Sequence, residues 1–397
     1  AHVSLLGVGI SPGALVPFTL TASTIISAVV LILVGAVADR SPRPTRLFAA
    51  FAWTGSLAAS LLFLVSGTSW ALGIVLLIIA NLCLGASLVI YDSLLCRIAS
   101  PDERDRVSSR GWALGYAGGG LLLALNFGLL SFADSLGISD GTAVRISMLS
   151  AGIWWAAFTL IPVLGLRDVQ GTTATPVEVR RGVVGGSFTQ LATTFKELRA
   201  YPQTLLFLLA YLFYNDGIQT VIGSSSLYGT SELGFTQDKV LMVFLLVQFV
   251  AFGGALLFGR LAGRYGAWRT VLGGIAMWLV TVVVAFVTPG RQLGLFAMLG
   301  VLIGIVMGGT QALSRSLFSQ LIPQGREAEF FSLYQAMERG TSWLGTLVFG
   351  IVYQLTLSYR SAIIALIVFF VVGGLLLSRL KMREGIIAAG NEVPSVI

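Results

Sequence analysis

The chain has 397 residues, of which 56% are hydrophobic and only 11% are charged, and its formal net charge is +7. Soluble globular domains carry about 25% charged residues, so this composition excludes a water-soluble protein and indicates lipid as the solvent. The positive charge does not indicate nucleic-acid binding, because the basic residues fall in short loops between apolar runs.

Residues that commonly bind metals or perform catalysis are few and scattered. The only histidine is His2, at the very start of the sequence. Cys83 and Cys96 fall about 20 Å apart on one predicted helix, which is too far for a disulfide bond. No phosphate-binding G-x-x-x-x-G-K-[ST] motif is present. We therefore expect no metal, no cofactor, no enzymatic activity and no direct use of ATP.

Eleven apolar runs are each long enough to cross a bilayer as a helix, which predicts an all-α membrane protein. They cover about residues 14–38, 45–66, 70–96, 108–132, 143–166, 203–229, 238–262, 268–288, 293–320, 329–355 and 359–379.

A short basic segment occurs twice, each time between two of these runs. The first copy extends from Gly35 to Arg40 and the second from Gly259 to Arg264, roughly half the chain later. A repeat of that length predicts two related membrane halves. Gly35 allows close helix packing, and Asp39 lies at a helix end, where it can pair with an arginine or with the N-terminus of another helix.

The repeat also predicts how the chain is divided. A run of the second half has its counterpart before Ala1, so we expect twelve native helices in two six-helix bundles, with the first helix missing from this sequence. The predicted parts are an N-terminal bundle without its first helix (1–166), a cytoplasmic linker with a short interfacial helix (167–202), a C-terminal bundle (203–383) and a cytoplasmic tail (384–397).

The orientation in the membrane follows from the lysines and arginines. When both basic segments face the cytoplasm, most of these residues fall on that side, as the positive-inside rule requires. We therefore expect a multi-pass protein of the cell inner membrane with its C-terminus in the cytoplasm. In the linker, Phe188, Leu191 and Phe195 recur at helical spacing, which predicts an interfacial helix that is either a strut or a regulatory element.

A glycine ridge follows the third apolar run. Gly111, Gly115 and Gly119 share one helix face, flanked by Trp112 and Tyr116. Small residues at this spacing predict close helix packing, or a ridge that rocks against its neighbour during transport. We also assign Trp112 and Tyr116 to the candidate substrate site.

The stretch from Tyr214 to Gln219 contains an acid deep within an apolar run. Asp216 lies about 20 Å from the predicted cytoplasmic end, where a carboxylate costs about 2.5–3.5 kcal/mol to insert. Gly217 weakens the helix, and interrupted helices mark transporter sites. We assign Tyr214, Asn215, Asp216 and Gln219 to a substrate or proton site, with a structural ion pair as the alternative for Asp216.

Other polar residues within apolar runs extend this candidate site. Glu338 and Arg339 are adjacent, and Arg339 is the best candidate partner for Asp216 or for a substrate carboxylate. Gln311 and Gln335 are further candidates. Asp92 lies about one turn from the predicted cytoplasmic end of its helix, so we assign it to a cytoplasmic gate.

Several stretches resemble the major facilitator superfamily of transporters. The run Gly-x-x-x-Asp-Arg-x-x-Arg that begins at Gly35 resembles its signature loop. The stretches that resemble the branch containing the autophagy-related vacuolar amino-acid effluxers and their bacterial relatives are Tyr91–Leu95, Gly111–Tyr116, Tyr214–Thr220, Gln311–Ser316 and Glu329–Phe331. The resemblance covers the whole chain, with two departures. Asp92 stands where that family usually has Asn, and the family's first helix, with its acidic-aromatic motif, is absent.

This resemblance implies a secondary transporter that exports an amino acid or a related small solute by alternating access. It also implies that Asp39 helps to latch the cytoplasmic side, and we assign the nearby arginines to the same gate. Anchoring by the positive-inside effect alone is the alternative for these arginines, which are Arg40, Arg43, Arg46 and Arg264. Proton coupling is a hypothesis that depends on Asp216 and Glu338.

Two other functions stay open at this point. An exporter of lipids or amphipathic drugs would be favoured by a mostly apolar cavity with lateral openings, and a closed polar cavity would favour amino acids. A non-transporting membrane receptor could also use this fold. We expect a monomer whose partners are a small-molecule substrate, protons and membrane lipids, and not nucleic acid.

Overall fold

The computed structural model describes residues 3–5, 8–10, 12–66, 69–167, 198–340 and 343–397. The predicted interfacial helix of the linker lies outside these ranges. The described helices are α1 Pro12–Arg40, α2 Pro44–Leu61, α3 Trp70–Ile98, α4 Arg104–Ser131, α5 Asp140–Gly165, α6 Pro202–Leu227, α7 Gln237–Tyr265, α8 Ala267–Val287, α9 Leu293–Gln320, α10 Glu327–Gly340, α11 Trp343–Thr356, α12 Tyr359–Ala365, α13 Ile367–Ser378 and α14 Met382–Ala388.

Nine helical stretches within the described residues are long and apolar enough to cross a membrane, which confirms the all-α membrane class. The predicted run 14–38 corresponds to α1, and the predicted run 329–355 falls on α10 and α11. The total of eleven spans stays a prediction. The nine stretches are Pro44–Leu64, Trp70–Ile98, Arg104–Ser131, Asp140–Gly165, Pro202–Glu232, Gln237–Tyr265, Ala267–Val287, Leu293–Gln320 and Tyr359–Ser378.

Two regions differ from the sequence-based expectation. The predicted loop at the start contains a short antiparallel hairpin of β1, Val3–Leu5, and β2, Val8–Ile10, in which Val3 pairs with Ile10. Its β-branched residues favour an extended backbone. Helix α14 crosses the predicted boundary between the C-terminal bundle and the tail, and the residues after it hydrogen-bond to Ile322 and Asp102.

Local sequence explains several helix starts. Pro44 and Pro202 occupy the first turns of α2 and α6, where a missing N–H costs no hydrogen bond. The Ser139 hydroxyl accepts the N–H of Thr142 and caps α5. Gly266 joins α7 to α8 with φ of 87°, a conformation that favours glycine.

The chain forms two compact units, and neither consists of one sequence half alone. Unit 1 contains Ala1–Asp92, Leu125–Val179 and Ala328–Gly340. Unit 2 contains Ser93–Ala124, Arg180–Glu327 and Thr341–Ile397. Each unit therefore includes contacts between segments of the first and second sequence halves. The predicted division at 166 and 203 stays a prediction.

Small residues bring helices together within each unit. In unit 1, Gly55 of α2 packs on the Trp155 ring of α5. In unit 2, glycines of α9 pack directly on the α7 backbone, since a Cβ at Gly304 would lie 2.9 Å from the Val247 carbonyl oxygen and one at Gly308 would clash with that of Ala251. Backbones that approach this closely exclude larger side chains.

The predicted ridge on α4 behaves differently. A Cβ at Gly115 would meet no atom of the described residues within 4 Å, and one at Gly119 would meet the Gln248 side chain at 3.2 Å. Among the described residues, a neighbour therefore lies against Gly119 but not against Gly115, and the choice between close packing and a rocking ridge stays a prediction. Helical spacing places the glycines on one face but cannot show whether another helix covers that face.

Candidate functional site

Asp39 binds the N-terminus of a helix from the second half of the sequence. Within unit 1 its two carboxylate oxygens accept the backbone N–H groups of Ala328 and Glu329, each at 2.8 Å. These are the second and third residues of α10, whose N–H groups have no acceptor within the helix. The carboxylate also meets the positive end of the helix dipole. The sequence analysis gave two alternatives for the partner of Asp39, an arginine or the N-terminus of another helix. In the structure Asp39 binds a helix N-terminus.

Gly35 permits this contact one turn before Asp39. A Cβ at Gly35 would lie 2.6 Å from the Ala328 carbonyl oxygen and 2.8 Å from the Ser332 Cβ. Only a residue without a side chain allows α1 to lie this close to α10. Gly35 and Asp39 thus form one docking surface for the first turns of α10.

The predicted gate arginines are all exposed. Arg40, Arg43, Arg46 and Arg264 lie on the surface, and the Arg264 guanidinium stacks on the Tyr265 ring at 5.5 Å. Their placement is compatible with positive-inside anchoring, so their gating role stays a prediction.

Asp92 belongs to a buried polar network in unit 1. The Gln335 amide donates to the Asp92 carboxylate at 2.9 Å and lies 3.4 Å from that of Glu338. Arg339 Nε donates to the Gln335 carbonyl oxygen at 3.4 Å. Asp92 and Gln335 are each 3% exposed. The structure therefore joins Asp92, which the sequence analysis assigned to the cytoplasmic gate, to three residues that it assigned to the candidate substrate or proton site.

A second polar contact in unit 2 joins α4 to the end of α9. The Arg104 guanidinium donates a hydrogen bond to the Ser319 carbonyl oxygen at 2.9 Å. The Ser108 hydroxyl donates one to the Ala312 carbonyl oxygen at 2.6 Å. Arg315 Nε donates to the Ser108 hydroxyl at 3.0 Å. The Ser316 hydroxyl donates to the Asp105 carboxylate. The sequence analysis missed these residues as a group, although Arg315 and Ser316 lie in a stretch that carried the family resemblance.

Trp112, Tyr116 and Gln311 line a common cavity of about 400 Å³ in unit 2. The two rings lie 5.7 Å apart, and the Tyr116 hydroxyl donates to the Gln311 carbonyl oxygen. The Trp112 Nε1 is buried without a hydrogen-bond partner among the described residues. The other residues of the lining are Leu123, Ile222, Ser225, Tyr228, Val243, Phe244, Val247, Gln248, Phe296, Leu299, Gly300, Ile303 and Met307.

The chemistry of this cavity is apolar with a few neutral polar groups. No charged side chain occurs among the described residues that line it. Such a cavity holds an apolar group and orients it by hydrogen bonds, but offers no countercharge to an ammonium or carboxylate.

Asp216 and its neighbours do not line this cavity. Asp216 is fully buried, and its Oδ2 accepts the backbone N–H of Gly345, the third residue of α11, at 2.7 Å. Its Oδ1 has no hydrogen-bond partner among the described residues. Within unit 2 no arginine or lysine among the described residues forms a salt bridge with Asp216, and in unit 1 Arg339 contacts Gln335. Tyr214 is hydrogen-bonded to Ser314 at 2.7 Å, and Gln219 is half-buried.

The segment after α14 contacts loops from both sequence halves within unit 2. The Asn391 amide donates to the carbonyl oxygens of Gln320 and Ile322, at 2.9 and 2.7 Å. The Ser395 backbone N–H and hydroxyl donate to the Asp102 carboxylate, at 2.6 and 2.9 Å. Both hydrogen bonds stabilise the charged carboxylate and lower the pKa of Asp102 below its ordinary value of 3.8. The backbone hydrogen bond has the larger effect and the hydroxyl hydrogen bond the smaller.

A sequence model of the family described as "Vacuole effluxer Atg22 like" matches residues 1–390. Among curated proteins, the chain is 29% identical over 363 residues to an uncharacterized MFS-type transporter, YxiO, of Bacillus subtilis (strain 168), covering 91% of this chain and 83% of that protein. It is 27% identical over 450 residues to autophagy-related protein 22-2 of Emericella nidulans, covering 91% of this chain and 76% of that protein.

Solved structures of major facilitator transporters have a similar fold. The proton:xylose symporter XylE matches with a TM-score of 0.67 at 14% identity, covering 92% of this chain and 86% of that one. FucP in the outward conformation matches with a TM-score of 0.65 at 15% identity, covering 92% and 89%. At this level of identity the similarity concerns the fold alone.

Proposed function

Because the chain belongs to the vacuole effluxer Atg22-like family of major facilitator transporters, we propose that it exports an amino acid or a related metabolite by alternating access. The protein is a multi-pass membrane protein. The observation that carries the proposal is the match of the Atg22-like family model over residues 1–390, and the mostly apolar cavity around Trp112, Tyr116 and Gln311 favours an amino acid with an apolar side chain.

The cavity's size and lining suit the side chain of a substrate. Its volume of about 400 Å³ lies within the usual range of small-ligand sites. Aromatic walls favour an apolar or aromatic group, and the Gln311, Gln248 and Tyr116 side chains supply neutral hydrogen-bonding groups. The ammonium and carboxylate of an amino acid would lie outside this lining, because it offers them no countercharge.

Contacts between the sequence halves support alternating access. Asp39 joins α1 to α10, and Arg104 and Ser108 join α4 to α9. Both sets of contacts lie at helix ends that the positive-inside rule assigns to the cytoplasm. Opening that side requires these hydrogen bonds to break, so their strength sets how often it opens.

Asp216 is the acid at which a coupling cation would bind. It is fully buried without a salt bridge among the described residues, and an uncompensated buried carboxylate is costly. The sequence suggested a proton for this role, with Glu338 as a second acid. Glu338 shares the Gln335 amide with Asp92, so these two carboxylates belong to one network in unit 1.

A second cargo class is favoured by one specific observation. A lining without charge also accepts an amphipathic solute, such as a lipid or an uncharged drug. A transport assay in which amino acids and amphipathic solutes compete for the protein therefore decides the substrate class. A non-transporting receptor would bind a ligand without moving it across the membrane.

The test is transport by the protein reconstituted in liposomes. Labelled phenylalanine and leucine should move across the membrane, with competition by apolar amino acids and not by aspartate or lysine. Trp112→Ala should lower transport about tenfold or more, because the ring forms one wall of the cavity. Trp53→Ala, at a ring 40% exposed and outside the lining, is the matched control. Competition by amphipathic solutes alone would reassign the cargo, and binding without flux would refute transport.

A further inference from the structure

Helices α2 and α5 of unit 1 enclose an open groove at one end of their contact, which we call the α2–α5 groove. It is lined by residues between 42 and 53 and between 163 and 167, and its volume is about 1020 Å³. We propose that this groove binds one phospholipid with an anionic headgroup, whose phosphate lies on three arginines and whose acyl chain lies along the two helices. The groove shares no residue with the cavity around Trp112, and the inference does not depend on the cargo.

The groove lies at the end of the helix pair that the positive-inside rule assigns to the cytoplasm. Near this end the Thr45 hydroxyl of α2 donates to the Leu166 carbonyl oxygen, just after α5, at 3.0 Å. Further along the antiparallel pair the backbones are in direct contact, because a Cβ at Gly152 would lie 2.7 Å from the Ser56 carbonyl oxygen. The space between the two helices therefore lies toward Thr45.

Three arginines bring positive charge to this end of the groove. Arg46 directly follows Thr45 and Arg167 directly follows Leu166, so the Thr45–Leu166 hydrogen bond holds the two arginine-bearing segments together. Arg43 lies immediately before the first turn of α2. No acidic side chain lines the groove among the described residues, and Arg43 and Arg46 form no ion pair there. Guanidinium groups held together in this way favour an anion that joins them, and phosphate matches their donor geometry.

Most of the remaining lining is apolar and suits a hydrocarbon chain. Ala49 and Ala50 of α2 and Val163 and Leu164 of α5 lie within two turns of the arginines. Leu164 is 63% exposed and Ala50 is also exposed, so no described helix covers this side of the groove. Apolar surface at this depth in a membrane is in contact with acyl chains. The groove thus offers positive charge to a headgroup and apolar surface to the chain below it.

This combination distinguishes an anionic phospholipid from other ligands. Free phosphate has no apolar part, so it would leave the hydrocarbon surface of the groove without a partner. A zwitterionic lipid brings an ammonium or choline group beside the arginines, which repel it. A phosphatidylglycerol headgroup carries the phosphate without a cation. Basic pockets between membrane helices on the cytoplasmic side are suited to such headgroups.

The test is a titration of the purified protein in detergent with phosphatidylglycerol, followed by native mass spectrometry, which counts the bound lipids. Phosphatidylglycerol should bind with saturation, and phosphatidylcholine should bind about tenfold more weakly or less. Arg46→Gln should weaken phosphatidylglycerol binding about fivefold, and Arg43→Gln combined with Arg46→Gln about 25-fold, because each arginine contributes separately to headgroup attraction.

Two further variants separate the groove from general attraction by positive charge. Arg269→Gln is the matched control, because Arg269, like Arg46, is an exposed third residue of its helix but lies outside the groove lining. It should leave the affinity for phosphatidylglycerol unchanged. Ala50→Trp keeps every arginine and fills the groove, so it should weaken binding about tenfold.

Each contrary result would overturn the site. Equal losses in Arg46→Gln and Arg269→Gln would show attraction by overall positive charge, and equal binding of the two lipids would show that the headgroup charge is not recognised. Unchanged binding in Ala50→Trp would place the lipid outside the groove. Thermal unfolding without added lipid shows whether each variant is folded. If Ala50→Trp does not fold, the comparison of Arg46→Gln with Arg269→Gln decides.

Discussion

Replacing Asp39 by Asn should loosen the docking of α1 on α10. The carboxylate accepts two backbone N–H groups, each at 2.8 Å, and is 7% exposed. Asn keeps one accepting oxygen but directs an NH₂ group at the other N–H, so one hydrogen bond is lost and the favourable charge at the helix end disappears.

The size of this effect follows from the geometry. A hydrogen bond to a charged group contributes about 1.5–3 kcal/mol, and loss of a helix cap costs about 0.5–2 kcal/mol. We therefore expect a net cost of about 1.5–3 kcal/mol to the docked arrangement. At about 1.4 kcal/mol for each factor of ten, the population with α10 released should rise about ten- to hundredfold.

Labelling of a buried cysteine measures this population. Ser332 is fully buried and packs near Gly35, so a thiol reagent reaches Ser332→Cys only when α1 and α10 separate. In a background without Cys83 and Cys96, Asp39→Asn should raise the labelling rate about ten- to hundredfold, because labelling follows the open population when opening is fast. Asp238→Asn, at an exposed acid in the first turn of α7, is the control. An unchanged rate in Asp39→Asn would show that this carboxylate does not hold α10.

Two further predictions concern unit 2. Gly304→Leu should lower the stability of the protein by about 1–3 kcal/mol, because the new side chain would overlap the α7 backbone near Val247. Scanning fluorimetry measures this as a lower unfolding temperature. Gly294→Leu, at a position of the same helix with no neighbour among the described residues, should have little effect. Asp102→Asn should release the segment that contains Ser395, seen as faster proteolysis near residue 395 at pH 7. Since the folded-state pKa of Asp102 is depressed, its stabilising contribution is present above the ordinary pKa of 3.8 and is lost as pH falls through the lower folded value, so the wild-type segment should become protease-sensitive only in strong acid.

The membrane spans could be predicted because hydropathy alone decides which segments enter lipid. Their ends were less accessible to prediction. Helix α4 begins at Arg104, several residues before the predicted apolar run at 108, because polar residues of its first turns hydrogen-bond to α9. A sequence pattern cannot show that Arg104 and Ser319 are neighbours, since they are far apart in the chain.

The glycine patterns show the same limit. Gly115 and Gly119 on α4 have the same spacing as Gly304 and Gly308 on α9, yet only the second pair lies against another helix backbone. Residue spacing shows which side chains share one face of a helix. Whether another helix packs against that face depends on the tertiary structure, which the spacing does not show.

The candidate site was predictable residue by residue but not as a set. Asp216 was singled out because a carboxylate is costly in an apolar run, and the structure places it fully buried. Thr220 lies in the stretch that resembles the family but was assigned no role, since a threonine in a membrane helix usually bonds its own backbone. Its position against Gly345 of another helix is a tertiary contact that no local pattern reveals.

The close packing of α7 on α9 has a practical consequence for observing transport. Gly308 meets the backbone at Ala251 and Gly304 meets it at Val247, so the two helices have no room to slide past each other. They therefore serve as a fixed reference within unit 2. Distance probes placed on the outer surfaces of α7 and α9 should keep a constant separation, and a third probe on α11 should report its movement against them.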